Sequence, residues 1–543
     1  EGHLARRETQ EIVVAMNAAT FSSDLAKVYP GGVFFFADHI KLAVDRSDVS
    51  AYPIPANRLA RESGAPAKLR DYVANMAYVG VLAQMLGIDS EKIYEALDFH
   101  FKGKQSPIDL NYGVIIAAAE WAYQNLEKRD PYRLEAMDAT SGYIMADGNT
   151  AAALGSIYGG VQLASWYPIT PASSLAESLQ EYLPQLRQDK ETGKNTYAVL
   201  QAEDEIAAIG MAVGGGWAGL RSMTSTSGPG ISLMTEYSGL AYFAEIPVVI
   251  WDVQRVGPST GLPTRTQQGD IMSVRYLGHG DTEQIILLPG TVNECFEFGW
   301  RAFDLAERLQ GPIFVLSDLD LGMNQWMTEP FQYPEQPMDR GKVLWEEDLD
   351  RLERPWGRYL DVDGDGIPYR TIPGNLHPSS AYFTRGTGHD EYGVYSEDPE
   401  IWHRVNARLK KKYDNFVKYL PAPVIEKMDG AQIGIISVGS ADGAIQEARQ
   451  RLADQKVPSD YMRIRAIPFD PSMGEFIRGY DKIFVIELNR EGQLDQLLTL
   501  AFPKQAGKLI PTNFSDGLPL TARWVVDAIT DNLSEGEQSE WNR

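Results

Sequence analysis

The regular alternation of strand-like and helix-like runs between residues 146 and 335 constrains this chain more than any other feature. Val161 to Trp166, Thr196 to Gln201, Arg221 to Thr226 and Val248 to Val253 each read as a short strand, and each leads through a turn into a helical pattern. A chain that repeats strand, turn and helix folds as a parallel sheet with helices on both faces. Ligands of such open sheets collect outside the carboxyl ends of the strands, so the residues at those ends are the first to inspect.

Similar signals flank this region, and the 543 residues are expected to form several Rossmann-like, doubly wound α/β domains. Residues 1–145 read as a small α/β unit, with strands at Ile12 to Met16 and Val33 to Ala37 and helices at Asp71 to Leu86 and Asn111 to Leu126. Packing and subunit contact are its expected roles. It starts without Met and reaches a strand-like run almost at once, so the start reads as mid-domain, with an upstream piece expected.

Residues 336–424 are Pro- and Asp-rich and irregular until a helix with Ile401, Val405, Leu409, Tyr413, Phe416 and Leu420 on one face. Its basic residues, Arg404, Arg408, Lys410, Lys411, Lys412 and Lys418, are expected to form a solvated face. Residues 425–543 form a further α/β unit. Ile433 to Val438 and Lys482 to Glu487 read as its strands, and Asn489 to Gln493 leads into a helix.

Composition then removes whole classes of function. The single thiol, Cys295, cannot make an internal disulfide, a Cys-ligated zinc site or an iron–sulfur cluster. Any redox metal would therefore sit on another subunit, and so little Cys fits a reducing cytoplasm. With 50 Lys and Arg against 74 Asp and Glu, the net charge of −24 argues against nucleic-acid partners and a polybasic membrane anchor. The longest uncharged run, Gly148 to Ala176, is interrupted by Gly and Pro and does not read as a membrane span.

The four strand ends carry the unusual residues. The first runs into Tyr167-Pro168-Ile169-Thr170-Pro171, where two prolines stiffen the backbone around a hydroxyl, and Ser174 to Glu177 reads as a capping box. Thr170 could donate to a ligand carbonyl or carboxylate, or simply belong to a turn. The second strand delivers Glu203, Asp204 and Glu205 at the head of a helix rich in Ala and Gly. Acidic residues there are ordinary complements of the helix dipole, but the small residues allow close approach to another element or subunit. The third ends in Thr226-Ser227-Gly228-Pro229-Gly230. The fourth ends in Gln254-Arg255 and a Gly/Pro-stiffened loop that also holds Arg265. Two arginines in such a loop suit a carboxylate substrate.

Metal ligation has thinner support. Asp361, Asp363 and Asp365 match the first half of a Ca²⁺ loop, but Ile372 stands at its twelfth position, so a hydrogen-bonded turn is expected. The seven histidines show no ligand spacing, and His389, in His389-Asp390-Glu391, is expected to be structural.

Taken together, Tyr167 to Pro171, Glu205 to Ala212, Thr226 to Gly230 and Gln254 to Thr266 resemble the α subunit of 2-oxoacid:ferredoxin oxidoreductases. The likeness is to the form with a γ-type domain fused ahead, and most of all to the 2-oxoglutarate enzymes. Asp365 to Thr371, Phe383 to Glu391 and Asn489 to Gln493 extend it over most of the chain. The glycine-rich opening of the γ-type domain is absent. The resemblance implies a pyrimidine-binding-type domain at 146–335 and a transketolase C-terminal-like domain at 425–543. It also implies that Glu205 contacts N1′ of thiamine diphosphate and favours the imino tautomer that removes the thiazolium C2 proton. Tyr167, Pro168, Ile169, Ser227 and Gly228 would line the cofactor site. Thr170 and Arg255 would orient the 2-oxoacid, and Arg265 would serve a second carboxylate.

Mg²⁺ and a 4Fe–4S cluster are implied on a β subunit, with coenzyme A as co-substrate, ferredoxin as electron acceptor and an (αβ)2 heterotetramer as the assembly. The implied reaction is oxidative decarboxylation of 2-oxoglutarate to succinyl-CoA and CO2. The rival readings are the same chemistry on pyruvate or an aryl pyruvate, and a non-catalytic assembly subunit.

Overall fold

The structure, a computed structural model, describes residues 3–541, with side chains described through residue 534. Residues 7–141 form one compact unit, and residues 3–6 with 142 onward form the other. In the smaller unit, strands Gln10–Ala15, Val28–Ala37 and Ser50–Ile54 make a parallel sheet in that order. Its core is aromatic: Phe21 meets Phe34 edge-on at 5.1 Å, and Phe35 stacks on Tyr52 at 5.3 Å. Helices Asn75–Leu86 and Gln105–Asn125 pack closely there, because a Cβ at Gly80 would lie 2.1 Å from the Ile115 carbonyl. The second helix starts six residues before the expected Asn111. Pro107 sits in its first turn, where a missing N–H costs no helical hydrogen bond.

The larger unit is built on a seven-stranded sheet. Its spatial order is Ala466–Ile467, Ile285–Leu287, Pro312–Asp318, Val248–Gln254, Ser222–Thr226, Leu163–Trp166 and Ala198–Gln201. Every pairing is parallel except the first. The second sheet runs Val424–Glu426, Ser459–Ile464, Ile433–Val438, Ile483–Glu487 and Leu509–Asn513, and only its first pairing is antiparallel. The expected division at 335 and 424 is thus not a division into separate compact bodies. Ala466–Ile467 leaves the C-terminal region to join the first sheet, and Ile286, Phe314 and Leu316 share one apolar core with Ile436, Val438 and Met462. Dividing the chain there would expose that shared surface to water.

The irregular segment is tied down by charge as well as by its helix, Pro399–Phe416. Arg408 and Lys412 do not belong to a solvated face. Both are buried against Glu245, with Lys412 Nζ 2.7 Å from its carboxylate. Burial alone would raise the Glu245 carboxyl, but Arg408 and Lys412 overcome it and hold it down at about 2. His389 stacks on Tyr359 at 3.9 Å, with Nδ1 2.9 Å from the Asp390 carbonyl.

The acidic turn is filled by lysines: Lys342 Nζ lies 2.7 Å from Asp363 and 2.8 Å from Asp365, and Lys411 pairs with Asp361. Among the described residues no group of three His, Cys, Asp or Glu is placed to hold a metal, and no helix is long and apolar enough to cross a membrane. Cys295 is buried.

Candidate functional site

The four strand ends converge as open-sheet topology requires. After Leu163–Trp166 the chain enters Tyr167 to Pro171, with a cis bond between Thr170 and Pro171. Tyr167, Pro168 and Thr170 are exposed, and Ile169 packs on the core. The expected capping box is not formed. Amides of Ala172 and Ser173 both turn back to the Ile169 carbonyl, so the helix begins at Ser173 with Ala172 at its cap. Ser174, already inside the first turn, instead accepts a 2.8 Å hydrogen bond from Asn149.

At the second strand end Asp204 and Glu205 divide the work. Asp204 caps the helix Glu205–Trp217, accepting from the Ala207 amide at 2.7 Å. Glu205 is left with its side chain buried, 7% exposed, and meets no hydrogen-bond or ion-pair partner among the described residues. Its carboxylate oxygens are not sealed in with the rest of the side chain and stay open to an incoming donor at the head of the helix. Two glycine positions explain how it fits. A Cβ at Gly230 would lie 2.0 Å from Thr226 Oγ1 and 2.8 Å from Glu205 Cγ, and one at Gly216 would lie 1.9 Å from the Pro247 carbonyl. Part of the small-residue stripe therefore serves packing within the chain. Ile206, Met211 and Trp217 on the same helix remain exposed.

Ser227 and Arg255 bring the third and fourth ends together. Ser227 is fully buried and its Oγ has no partner among the described residues. Arg255 donates from Nη1 to the Thr170 carbonyl at 2.6 Å and from Nη2 to the Thr260 carbonyl at 3.0 Å. Its own loop is folded into a tight lasso. The Leu262 amide donates to Val256 and the Val256 amide to Arg265, leaving no room for a side chain at Gly261, where a Cβ would lie 1.8 Å from the Val256 carbonyl.

Arg255 stands in the wall of a cleft of about 690 Å³, with Gly228, Thr260 and Asp270 beside it and Asn489 and Arg490 opposite. The opposite wall is fastened to the loop by side chains: Asn489 donates to the Gln268 carbonyl at 3.0 Å and Gln493 to the Gly269 carbonyl at 2.6 Å. Asp318 holds the base of the loop through Thr266, Gln268 and Ser440.

The fold thus gathers Thr170, Glu205, Ser227, Gly228 and Arg255, but not Arg265. That side chain is exposed outside the cleft wall, packs near Gly517 and donates to the Thr264 carbonyl. Because Arg265 turns its back on the lasso, the second guanidinium in the cleft is Arg490, on the C-terminal wall.

Sequence reasoning assigned no part to Asp252 and Asp270. Asp252 is fully buried in the strand Val248–Gln254, and among the described residues its oxygens meet no partner but the Asp270 carboxyl. That carboxyl tucks beneath Gly228, where a Cβ would lie 2.9 Å from both of its oxygens. Burial, and then the neighbouring acid, push the Asp252 carboxyl far up; burial also pushes Asp270 up, to about 6. Two unit charges 4 Å apart repel by about 4 kcal/mol in a protein-like medium, so such a pair keeps one proton between its members. A lone acid inside an otherwise apolar strand was the signal available in the sequence.

Residues 154–347 match the family described as pyruvate flavodoxin/ferredoxin oxidoreductase, thiamine diphosphate-binding, and residues 2–121 match pyruvate ferredoxin/flavodoxin oxidoreductase. With subunit alpha of 2-oxoacid:ferredoxin oxidoreductase 2 from Aeropyrum pernix, the chain is 32% identical over 499 residues, 88% of this chain and 75% of the relative. The chain belongs to the 2-oxoacid:ferredoxin oxidoreductase α subunits.

Within that family, 2-oxoglutarate synthase subunit KorA from Methanothermobacter thermautotrophicus is 35% identical over 346 residues, 63% of this chain and 86% of the relative. A solved 2-oxoglutarate:ferredoxin oxidoreductase from Magnetococcus marinus, with 2-oxoglutarate, coenzyme A and succinyl-CoA bound, superposes with a TM-score of 0.86 at 29% identity. It covers 98% of this chain and 89% of that one. The seven-stranded sheet is accordingly the core of a thiamine diphosphate-binding domain, and as an α subunit the chain works with other subunits.

Proposed function

We propose that this α subunit binds the pyrimidine half of thiamine diphosphate and the 2-oxoacid in an enzyme that oxidatively decarboxylates 2-oxoglutarate. With coenzyme A the products are succinyl-CoA and CO2, and the electrons pass to ferredoxin through a 4Fe–4S cluster on a β subunit. The carrying observation is Glu205 at the head of its helix, a largely buried side chain whose carboxylate has no partner among the described residues. Thiamine diphosphate supplies, when bound, the electron sink that decarboxylation of a 2-oxoacid needs. Glu205 would hold the proton at N1′ of the aminopyrimidine, and the orphaned Ser227 Oγ beside Gly228 fits a polar cofactor edge.

Arg255 spends two donors on Thr170 and Thr260 and is thereby aimed, so that its remaining edge can pair with the substrate carboxylate. The Thr170 hydroxyl, without a partner among the described residues, can donate to the keto oxygen. Mg²⁺ and the cluster are placed on the β subunit, in keeping with a chain that has one, buried, cysteine. An (αβ)2 assembly in the cytoplasm completes the proposal.

The preference for 2-oxoglutarate draws support from the KorA relatives and from the Magnetococcus marinus enzyme. Arg490 lines the cleft paired with its neighbour Glu491, and an exchange of that exposed pair would let it meet the second carboxylate that pyruvate lacks. The test is coenzyme A-dependent ferredoxin reduction by the assembled enzyme with each acid in turn. The expected result is a higher kcat/KM for 2-oxoglutarate, and equal or better use of pyruvate overturns the preference.

A further inference from the structure

Behind Arg255 lies a feature that the proposed chemistry does not use. Asp252 and Asp270 meet carboxyl to carboxyl under Gly228, sealed from the side chains around them. Asp252 sits on the same strand that ends in Arg255, three residues earlier, and lies opposite Thr226 in the sheet. Asp270 is different in placement: its residue forms part of the cleft wall with Arg255, while its Oδ2 is closed off from solvent. The pair is therefore the nearest charge reservoir to the guanidinium that the proposed function gives to the substrate carboxylate, and Arg255 acts electrostatically on Asp270.

We propose that Asp252 and Asp270 are positioning residues that share one proton behind Arg255, and that the cleft takes up a second proton when a 2-oxoacid carboxylate docks on Arg255. The proposal rests on the reading of Arg255 as the carboxylate-binding residue. Before docking, one negative charge on the pair offsets the positive charge on Arg255. An arriving carboxylate makes a second anion compete for the same cation, and the pair relieves the conflict by accepting a proton from water at Asp270. No bond is made or broken other than those of that proton.

The charged groups facing this pair come from several elements. Arg255 comes from its own strand end, Glu205 from the helix packed over Thr226 and Gly230, Arg490 and Glu491 from the opposite cleft wall, and Asp318 from the base of the loop. Arg490 and Glu491 pair with each other, and Asp318 is engaged by Thr266, Gln268 and Ser440. Arg255 is thus the cation left to answer the pair.

The sign follows from Asp270, whose carboxyl is pushed up to about 6 by burial. Above that value the pair is anionic and competes with the substrate, so affinity for a 2-oxoacid falls as pH rises through neutrality. Asp270→Asn keeps the shape and removes the competing charge, so binding becomes tighter at pH 8 and loses its pH dependence.

The experiment is calorimetric titration of the assembled enzyme with 2-oxoglutarate at pH 7.5, in two buffers of different ionisation enthalpy. The wild type should take up a substantial fraction of one proton per ligand bound, and Asp270→Asn none. An infrared carboxylic-acid band present in the wild type and absent in Asp252→Asn reads the shared proton without substrate. Binding with no proton uptake in the wild type, or equal uptake in Asp270→Asn, overturns the inference while leaving the 2-oxoacid reading in place. Absence of 2-oxoglutarate and pyruvate binding at every pH overturns that reading and this one with it.

Discussion

Arg255 donates to the backbone carbonyl of Thr170 at 2.6 Å, and that one hydrogen bond joins the loops after two different strands of the seven-stranded sheet. The two residues proposed to meet the substrate are thereby fixed to each other before any substrate arrives. A charged donor on a backbone acceptor is among the stronger protein hydrogen bonds, and here the carbonyl belongs to a segment stiffened by Pro168 and Pro171.

Arg255→Lys should therefore fail in two ways at once. An ammonium cannot reach Thr170, Thr260 and a carboxylate in one planar fork. The loss of a charge-assisted hydrogen bond is worth about 1.5–3 kcal/mol, so kcat/KM for the 2-oxoacid should drop about 10- to 150-fold. Steady-state kinetics of the assembled enzyme checks this, and the drop should appear mainly in KM.

Glu205→Gln keeps the volume and removes the charge. Turnover should fall by about 10² to 10⁴, the usual range for a positioned acid–base group. Thermal unfolding should be nearly unchanged, because the carboxylate has no hydrogen-bond or ion-pair partner among the described residues to lose. Unimpaired turnover would favour the assembly-subunit reading.

Gly230→Ala tests the packing that makes room for Glu205. The new methyl would lie 2.0 Å from Thr226 Oγ1, so a neighbour must move. Overpacking of this kind costs about 1–3 kcal/mol, and Glu205 should be displaced with it. The expected outcome is a lower unfolding midpoint together with reduced turnover.

Arg265→Ala and Arg490→Ala separate two candidates for the second carboxylate. Arg265 is exposed and turned to its own neighbour, whereas Arg490 lines the cleft. Replacing Arg265 should change KM for 2-oxoglutarate less than about threefold, within the small effects expected of an exposed surface change. Replacing Arg490 should raise that KM more, and leave KM for pyruvate nearly unaltered.

Glu245→Gln leaves Arg408 and Lys412 buried without their anion. Breaking a buried pair in this way costs about 3–5 kcal/mol, measured by denaturant unfolding at pH 7. The Glu245 carboxyl is held at about 2 in the folded chain, below its ordinary value near 4.5. Its contribution is therefore complete above about 4.5 and lost as pH falls toward 2, and the difference between wild type and variant should shrink over that window.

Several features of the fold were readable from local pattern. The strands at 163–166, 222–226 and 248–254 declare themselves by apolar runs that end in turns, and parallel pairing follows from the helices between them. Positions at strand ends were legible for the same reason, since topology alone sends Thr170, Glu205, Ser227 and Arg255 to one edge of the sheet. The lone cysteine was equally direct, because ligand counting needs no coordinates.

What local pattern could not reach was every relation made across long stretches of chain. Arg408 and Lys412 look like a solvated face when counted along their helix, and only packing against Glu245, more than 160 residues earlier, makes them buried. Ser174 reads as a cap until the turn at Ile169 starts the helix two residues sooner. Arg265 and Arg255 look equivalent within one loop, and the lasso between Val256 and Leu262 turns one inward and the other out. The sequence by itself determined the sheet, the order of its loops and which residues stand at its functional edge, because these depend on periodicity and connectivity. Tertiary structure alone decided which of those side chains face one another and which are left without partners, because burial and pairing depend on distances that no spacing along the chain specifies.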